Sequence, residues 1–117
     1  MNRPGEAVLT AVISALAGVR RGEPVAGVGT GARLEGALLA ASGTDRLVDH
    51  DACVVVAGAA HDVPMALTRL RPGGRLVALA ADAAAARRVA SAAGLRLRHV
   101  ERLGGQVVWS ADSPHES

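Results

Sequence analysis

The chain has 117 residues, a formal net charge of +2, 50% apolar residues and 1% aromatic residues. That length holds one small domain, and with Trp109 as its only aromatic residue the core must be built from Val, Leu and Ala. All basic side chains are Arg and none lies in a block interleaved with aromatics, so nucleic acid is a disfavoured partner.

The single cysteine, Cys53, excludes an internal disulfide and a cysteine-based metal cluster. Placed in a valine run, it reads as a small buried hydrophobe. No stretch approaches the roughly 20 apolar residues of a membrane span. The first residues do not resemble a secretory signal, which makes the cytoplasm the expected location.

In chain order, Val8, Leu9, Val12, Ile13, Leu16 and Val19 recur at helical spacing, and the pattern predicts an amphipathic helix from Pro4 to Arg20, closed by Gly22. This N-terminal unit spans residues 1–22. A short apolar run, Pro24 to Val28, leads into Gly27-Val28-Gly29-Thr30-Gly31. A helix over Ala32–Ala41 follows, with Leu34, Leu38 and Leu39 inward and Arg33 and Glu35 outward. Strand, glycine loop and helix aim free backbone N–H groups and a helix N-terminus at one point, where they bind a ligand or simply make a tight turn.

Residues 42–51 are polar. Asp45, Asp49, His50 and Asp51 have metal-compatible side chains, but their spacing matches no metal motif and a solvated loop is expected. Ala52–Ala57 is a continuous apolar run suited to a central parallel strand. Gly58-Ala59-Ala60-His61 is its exit loop. Asp62 is placed to N-cap a helix over Val63–Leu70 rather than to act as an acid. Pro72-Gly73-Gly74 reads as a turn that stops this helix before a strand over Arg75–Ala80.

Asp82 is placed to cap an Ala-rich helix over Ala83–Ala93, whose Arg87 and Arg88 lie on its wet face, with Gly94 at its end. A strand over Leu95–Leu103 carries the basic patch Arg96, Arg98, His99 and Arg102. It either binds an anion or guards an exposed edge. Gly104-Gly105 is a hairpin turn, Gln106–Ser110 the last strand with Trp109 packing at the sheet end, and Ala111–Ser117 a disordered tail.

This order resembles the class I S-adenosylmethionine-dependent methyltransferases. Three stretches carry the resemblance: the Gly27–Gly31 loop, Asp51–Ala57 with Ala60–Pro64 after it, and Leu70-Arg71-Pro72-Gly73-Gly74-Arg75-Leu76-Val77. It implies an α/β fold over residues 23–110, a three-layer Rossmann-like, mostly parallel sheet of about five strands ending in an antiparallel hairpin. It also implies S-adenosylmethionine as cofactor, held by Gly27, Gly29, Thr30, Gly31, Gly58 and Ala59. His61 lies at the carboxyl end of a strand, where a general base would stand or where a plain loop residue would serve. No metal site is implied.

The departures from the family are specific. The acid that precedes the family's glycine loop is Val25 here. Asp51 is the only candidate for the family's second-strand acid, yet a parallel crossover needs a dozen or so residues and almost none remain before Val54. The family's second and third strands therefore read as deleted, and Val25–Val28 becomes a sheet edge. An exposed apolar edge invites pairing, so it is expected to be covered by the N-terminal helix or paired with another subunit, a homodimer being preferred and a protein partner the alternative. The preferred reading is a degenerate, non-catalytic domain that acts by association. The alternative is a small S-adenosylmethionine-dependent methyltransferase. A third, weaker reading is nucleic-acid binding through Arg96, Arg98 and Arg102.

Overall fold

A computed structural model describes residues 6–114. The elements alternate as expected: α1 (Glu6–Ala17), β1 (Val25–Val28), α2 (Ala32–Ser42), β2 (Ala52–Ala57), a single 3-10 turn over Ala60–Asp62, α3 (Val63–Arg69), β3 (Leu70–Ala80), α4 (Ala83–Ala92), β4 (Arg96–Leu103) and β5 (Gln106–Asp112). The strands form one sheet in the order β1-β2-β3-β5-β4. β1, β2 and β3 run parallel, and β5 is antiparallel to both β3 and β4. The fold is α/β with a mixed five-stranded sheet.

The two faces of the sheet are separated by the two-residue side-chain period of a strand. Val55, Ala57, Leu76, Ala78 and Trp109 join Val63 and Ala66 of α3 and Ala86 and Ala90 of α4. Val25, Val54, Val56, Val77 and Val108 join Ile13 and Ala17 of α1 and Leu38 of α2. Helices thus cover both faces, and α1 is part of the same domain. Alanine at the α3 and α4 contacts lets those helices lie close to the sheet, which suits a core with one aromatic residue. Each fully buried Val or Leu contributes roughly 1.5–3 kcal/mol relative to exposure.

β1 and β2 are hydrogen-bonded neighbours, joined by α2 and the 43–51 loop alone. The outer side of β1 is occupied within the chain. Val48 N–H donates to the Val25 carbonyl at 2.9 Å, and Arg69 Nη1 donates to the Gly27 carbonyl at 3.0 Å. The other edge, β4, is longer and charged. A bulge between Leu97 and His99 throws out Arg98, which reaches Asp112 at 3.2 Å. His99 lies 3.3 Å from Glu101. The basic patch is therefore partly neutralised by its own neighbours.

Several expectations need correction. α1 ends at Ala17, because Gly18 (φ 56) already takes the left-handed conformation that stops a helix, so Gly22 is not its end. Pro4 lies outside the described residues. Pro72-Gly73-Gly74 is not a turn ahead of β3 but a bulge inside it: β3 advances from Leu70 to Arg75 while β2 advances only from Ala52 to Val54. Ala111 and Asp112 belong to β5, Ala111 is fully buried, and Ser113 N–H donates to the Gly74 carbonyl at 2.8 Å. Of the expected tail, residues 115–117 lie outside the described residues. Trp109 packs mid-strand against α3 and α4, opposite Ala78 and Val100, not at the sheet end. Cys53 is half-buried rather than buried. Asp82 caps α4 as read, its Oδ1 accepting from Ala85 N–H at 2.8 Å.

Candidate functional site

The glycine loop and the exit loop of β2 meet at the carboxyl end of the sheet. Gly58 N–H donates to the Val28 carbonyl at 2.8 Å, which ties the end of β2 to the end of β1. The two backbones are so close that a Cβ on Gly58 would overlap the Gly29 carbonyl oxygen. Gly29 itself has φ +70, and a Cβ there would overlap the Asp62 carboxylate. Glycine is required at both positions, by close approach at Gly58 and by close approach and conformation together at Gly29.

Asp62 is where the structure departs most from the sequence reading. Its side chain makes no capping hydrogen bond to α3. The 3-10 turn that precedes α3 directs it instead toward Gly29, with its side chain only 17% exposed. Its nearest charged partner is His61, Nε2 to Oδ1 at 3.4 Å, whose own ring is 85% exposed. Asp62 N–H donates to the Ala59 carbonyl at 3.0 Å, which fixes the turn. Sequence reasoning missed this carboxylate because Asp before Val-Pro is also a sound N-cap signal. The contact with Gly29 is long-range and leaves no local trace.

A second carboxylate was also missed. Glu35, expected on the outer face of α2, is half-buried and accepts from the Thr30 hydroxyl at 2.9 Å. The Thr30 side chain is thereby committed to Glu35 and braces the loop. Gly31 at the N-cap of α2 has no side chain, so the first-turn amides of α2 carry no side-chain cap. A pocket of about 240 Å³ opens beside these groups, lined by Leu9, Ile13, Gly29, Leu34, Gly58 and Leu79 among others. Ala59 lies half-buried in extended conformation between Gly58 and the turn. Of the expected loop residues, Gly29, Thr30, Gly31 and Gly58 line this pocket, whereas Gly27 lines a separate pocket at the β1 flank with Val48 and Arg69, and neither Ala59 nor His61 is part of the lining.

The remaining polar candidates lie elsewhere. Asp49 and His50 form an exposed pair at 2.7 Å in the 43–51 loop. The hydrogen bond from His50, reinforced by its charge, holds the Asp49 carboxyl below its ordinary value of 3.8. Asp51 (φ 57) is exposed and its carbonyl is held by Arg71. Among the described residues, no group of three His, Cys, Asp or Glu side chains is arranged to hold a metal ion. Among them, too, no helix is long and apolar enough to cross a membrane.

No family model matches the sequence, and no curated protein does either. Solved structures do match the fold. The L11 ribosomal protein methylase of Lactobacillus delbrueckii subsp. bulgaricus is 14% identical, with a TM-score of 0.67 over 98% of this chain and 81% of that one. The 1,6-didemethyltoxoflavin-N1-methyltransferase of Burkholderia thailandensis, solved with bound 1,6-didemethyltoxoflavin and S-adenosylhomocysteine, is 15% identical, with a TM-score of 0.66 over 90% of this chain and 76% of that one. An S-adenosylmethionine-dependent O-methyltransferase of Thermotoga maritima gives 10% identity and a TM-score of 0.62 over 100% and 69%.

The fold is that of the class I S-adenosylmethionine-dependent methyltransferases. Within that methyltransferase-like fold, the position of the family's first-strand acid is Val25, fully buried against α1 and α2 and unable to meet a ligand. The flank of β1 where the family's second strand would lie is taken by Val48 and Arg69.

Proposed function

We propose that this domain binds S-adenosylmethionine at the carboxyl end of β1 and β2, with Gly29 and Gly58 as the floor and Asp62 as the charged contact. The carrying observation is the mostly buried Asp62 carboxylate facing Gly29. With Glu35 in the first turn of α2, bound to the Thr30 hydroxyl, it puts two carboxylates around the glycine loop. Carboxylates so placed disfavour the pyrophosphate of a dinucleotide and suit a ligand that bears an ammonium and a sulfonium. The uncapped amides at the N-terminus of α2 suit the ligand's carboxylate.

The fit covers the amino-acid end of the cofactor. Its ribose has no acid from Val25 or from a second strand, and the 240 Å³ pocket lies below the roughly 300–1,000 Å³ of sites that enclose drug-sized ligands. Affinity in the micromolar range, rather than tighter, follows from that partial enclosure.

Bound S-adenosylmethionine supplies an electrophilic methyl group. The chain's own part is to fix the methionine end and to hold a proton acceptor near the mouth. His61 is the candidate base: its ring is exposed to an incoming acceptor, and Asp62 is placed to orient it. The preference for a non-catalytic association module rested on the absent acids. The methyltransferase neighbours, and the Asp62 carboxylate facing Gly29 at the side of the pocket, favour the cofactor-binding alternative.

Calorimetry with S-adenosylmethionine and S-adenosylhomocysteine tests the reading. Micromolar binding is expected, weakened at least roughly tenfold in Asp62→Asn and lost in Gly29→Val, with circular dichroism confirming that both variants fold. Absence of heat and of thermal shift at millimolar ligand would sink it.

A further inference from the structure

The Arg71-Pro72-Gly73-Gly74-Arg75 stretch has no part in the carboxyl-end site. The bulge it forms in β3 sits at the opposite end of the sheet and sets an arginine on each shoulder. Arg71 donates through Nε and Nη2 to the Asp51 carbonyl, at 3.3 and 3.0 Å. Arg75 donates through Nη1 to the Ala17 carbonyl at the end of α1, at 2.7 Å. Bonds to main-chain carbonyls fix the guanidinium planes without neutralising them.

The nearest carboxylates stand further off. Asp51 Oδ2 is 3.7 Å from Arg71 Nη2, and Asp112 Oδ1 is 3.9 Å from Arg75 Nε. Asp112 lies closer to Arg98, at 3.2 Å. Arg71 Nη1 and Arg75 Nη2 have no partner among the described residues. Arg20 follows α1 in the chain. Its main-chain N–H donates to Glu23 Oε1 at 2.8 Å, and its guanidinium has no partner among the described residues.

Arg20, Arg71 and Arg75 line one pocket of about 290 Å³, with Glu23 as its single acid and Cys53 and Val54 among its walls. Allowing for Glu23 and for the half charge at the C-terminus of α1, the lining is positive by about one and a half charges, of which Asp51 and Asp112, outside the lining at 3.7 and 3.9 Å from two of its guanidinium groups, offset a part.

We propose that this pocket binds a small phosphate-bearing anion, inorganic phosphate or a phosphate monoester. Planar guanidinium forks with spare N–H donors match phosphate oxygens better than a point charge does. The pocket has room for a phosphate with a small alcohol attached. It lies about 13 Å along β2 from the glycine loop, so it stands or falls independently of cofactor binding.

The test is calorimetry and thermal shift with inorganic phosphate and with glycerol phosphate, against chloride at equal ionic strength. A saturable response with Kd near or below about 1 mM is expected for at least one of them. The tighter ligand identifies free phosphate or the ester as the occupant. Arg20→Gln, whose guanidinium holds no other group, is expected to weaken binding at least roughly fivefold and keeps the test clean if Arg71→Gln fails to fold. Cys53 supplies an independent readout, since the bound anion should slow its alkylation by iodoacetamide with the calorimetric midpoint. A response that does not saturate, one unchanged in Arg20→Gln, or alkylation indifferent to both ligands would overturn the proposal.

Discussion

The two ends of the same three parallel strands are built from opposite materials. At the carboxyl end the chain presents backbone, glycine and two carboxylates, Asp62 and Glu35. At the amino end it presents Arg20, Arg71 and Arg75 around a single acid, Glu23. The carboxyl end is tightened by backbones in contact, Gly58 against Gly29. The amino end is tightened by guanidinium groups that reach across to main-chain carbonyls. An arginine can shift by rotating about its side-chain bonds, whereas two touching backbones cannot. The first end therefore tolerates no added atom at Gly58, and the arginines of the second tolerate substitution at a graded cost, Gly74 excepted, where a Cβ would meet the Arg71 and Cys53 carbonyl oxygens.

The largest expected effect tests that rigidity. In Gly58→Ala the new Cβ meets the Gly29 carbonyl oxygen, so the strand ends must part. Urea denaturation should show a loss of about 3 kcal/mol or more. Gly36→Ala is the control. Gly36 lies within α2, nothing stands within 4 Å of its would-be Cβ, and it is exposed. There the same change should stabilise by about 0.5–1 kcal/mol, through helix propensity and a less free unfolded chain. Similar effects at the two glycines would mean that the carboxyl end is not held by close approach.

The contrast also explains what the sequence made legible. Ala52–Ala57 and Arg75–Ala80 read as buried strands because their apolar runs are continuous, and Asp82 read as a cap because a cap is local. That β1 lies at an edge of the sheet followed from counting residues between α2 and β2. What could not be read depends on groups distant in the chain. Asp62 before Val63-Pro64 carries the signal of a cap, and only its position against Gly29, 33 residues earlier, gives it another role. Thr30 and Glu35 are five apart, outside the three-residue spacing of a capping box, so their bond was not anticipated. Pro72-Gly73-Gly74 has the composition of a turn. That β3 already pairs at Leu70, before the bulge, is a property of its neighbour Ala52.

A middle-sized effect is expected at the β1 flank, where a guanidinium again meets a main-chain carbonyl. Arg69→Ala removes the donor from the Gly27 carbonyl. A half-buried, charge-assisted bond of this kind should cost about 1–2 kcal/mol. It should also alter association. Pairing of a second copy along Val25–Val28 has to displace Val48 and Arg69, and the variant removes one of these obstacles. Sedimentation equilibrium should show the variant associating more strongly than the parent chain. Equal association would move any pairing surface away from β1.

The smallest effect is expected in the 43–51 loop, and its size is informative. Asp49 has a folded-state pKa held below 3.8 by His50. A depressed carboxyl pKa adds stability above the unfolded value of about 3.9 and loses it as the pH falls through the lowered folded value. Both side chains are more than 80% exposed, at 82% and 86%, so water and salt screen the pair. Asp49→Asn should leave the urea midpoint unchanged at neutral pH and change the acid limb of the stability curve only slightly. Val48, the preceding residue, holds the Val25 carbonyl. A marked loss of stability in Asp49→Asn would therefore show that the exposed pair braces the loop over β1, and that the β1 flank depends on a charge pair as well as on Arg69.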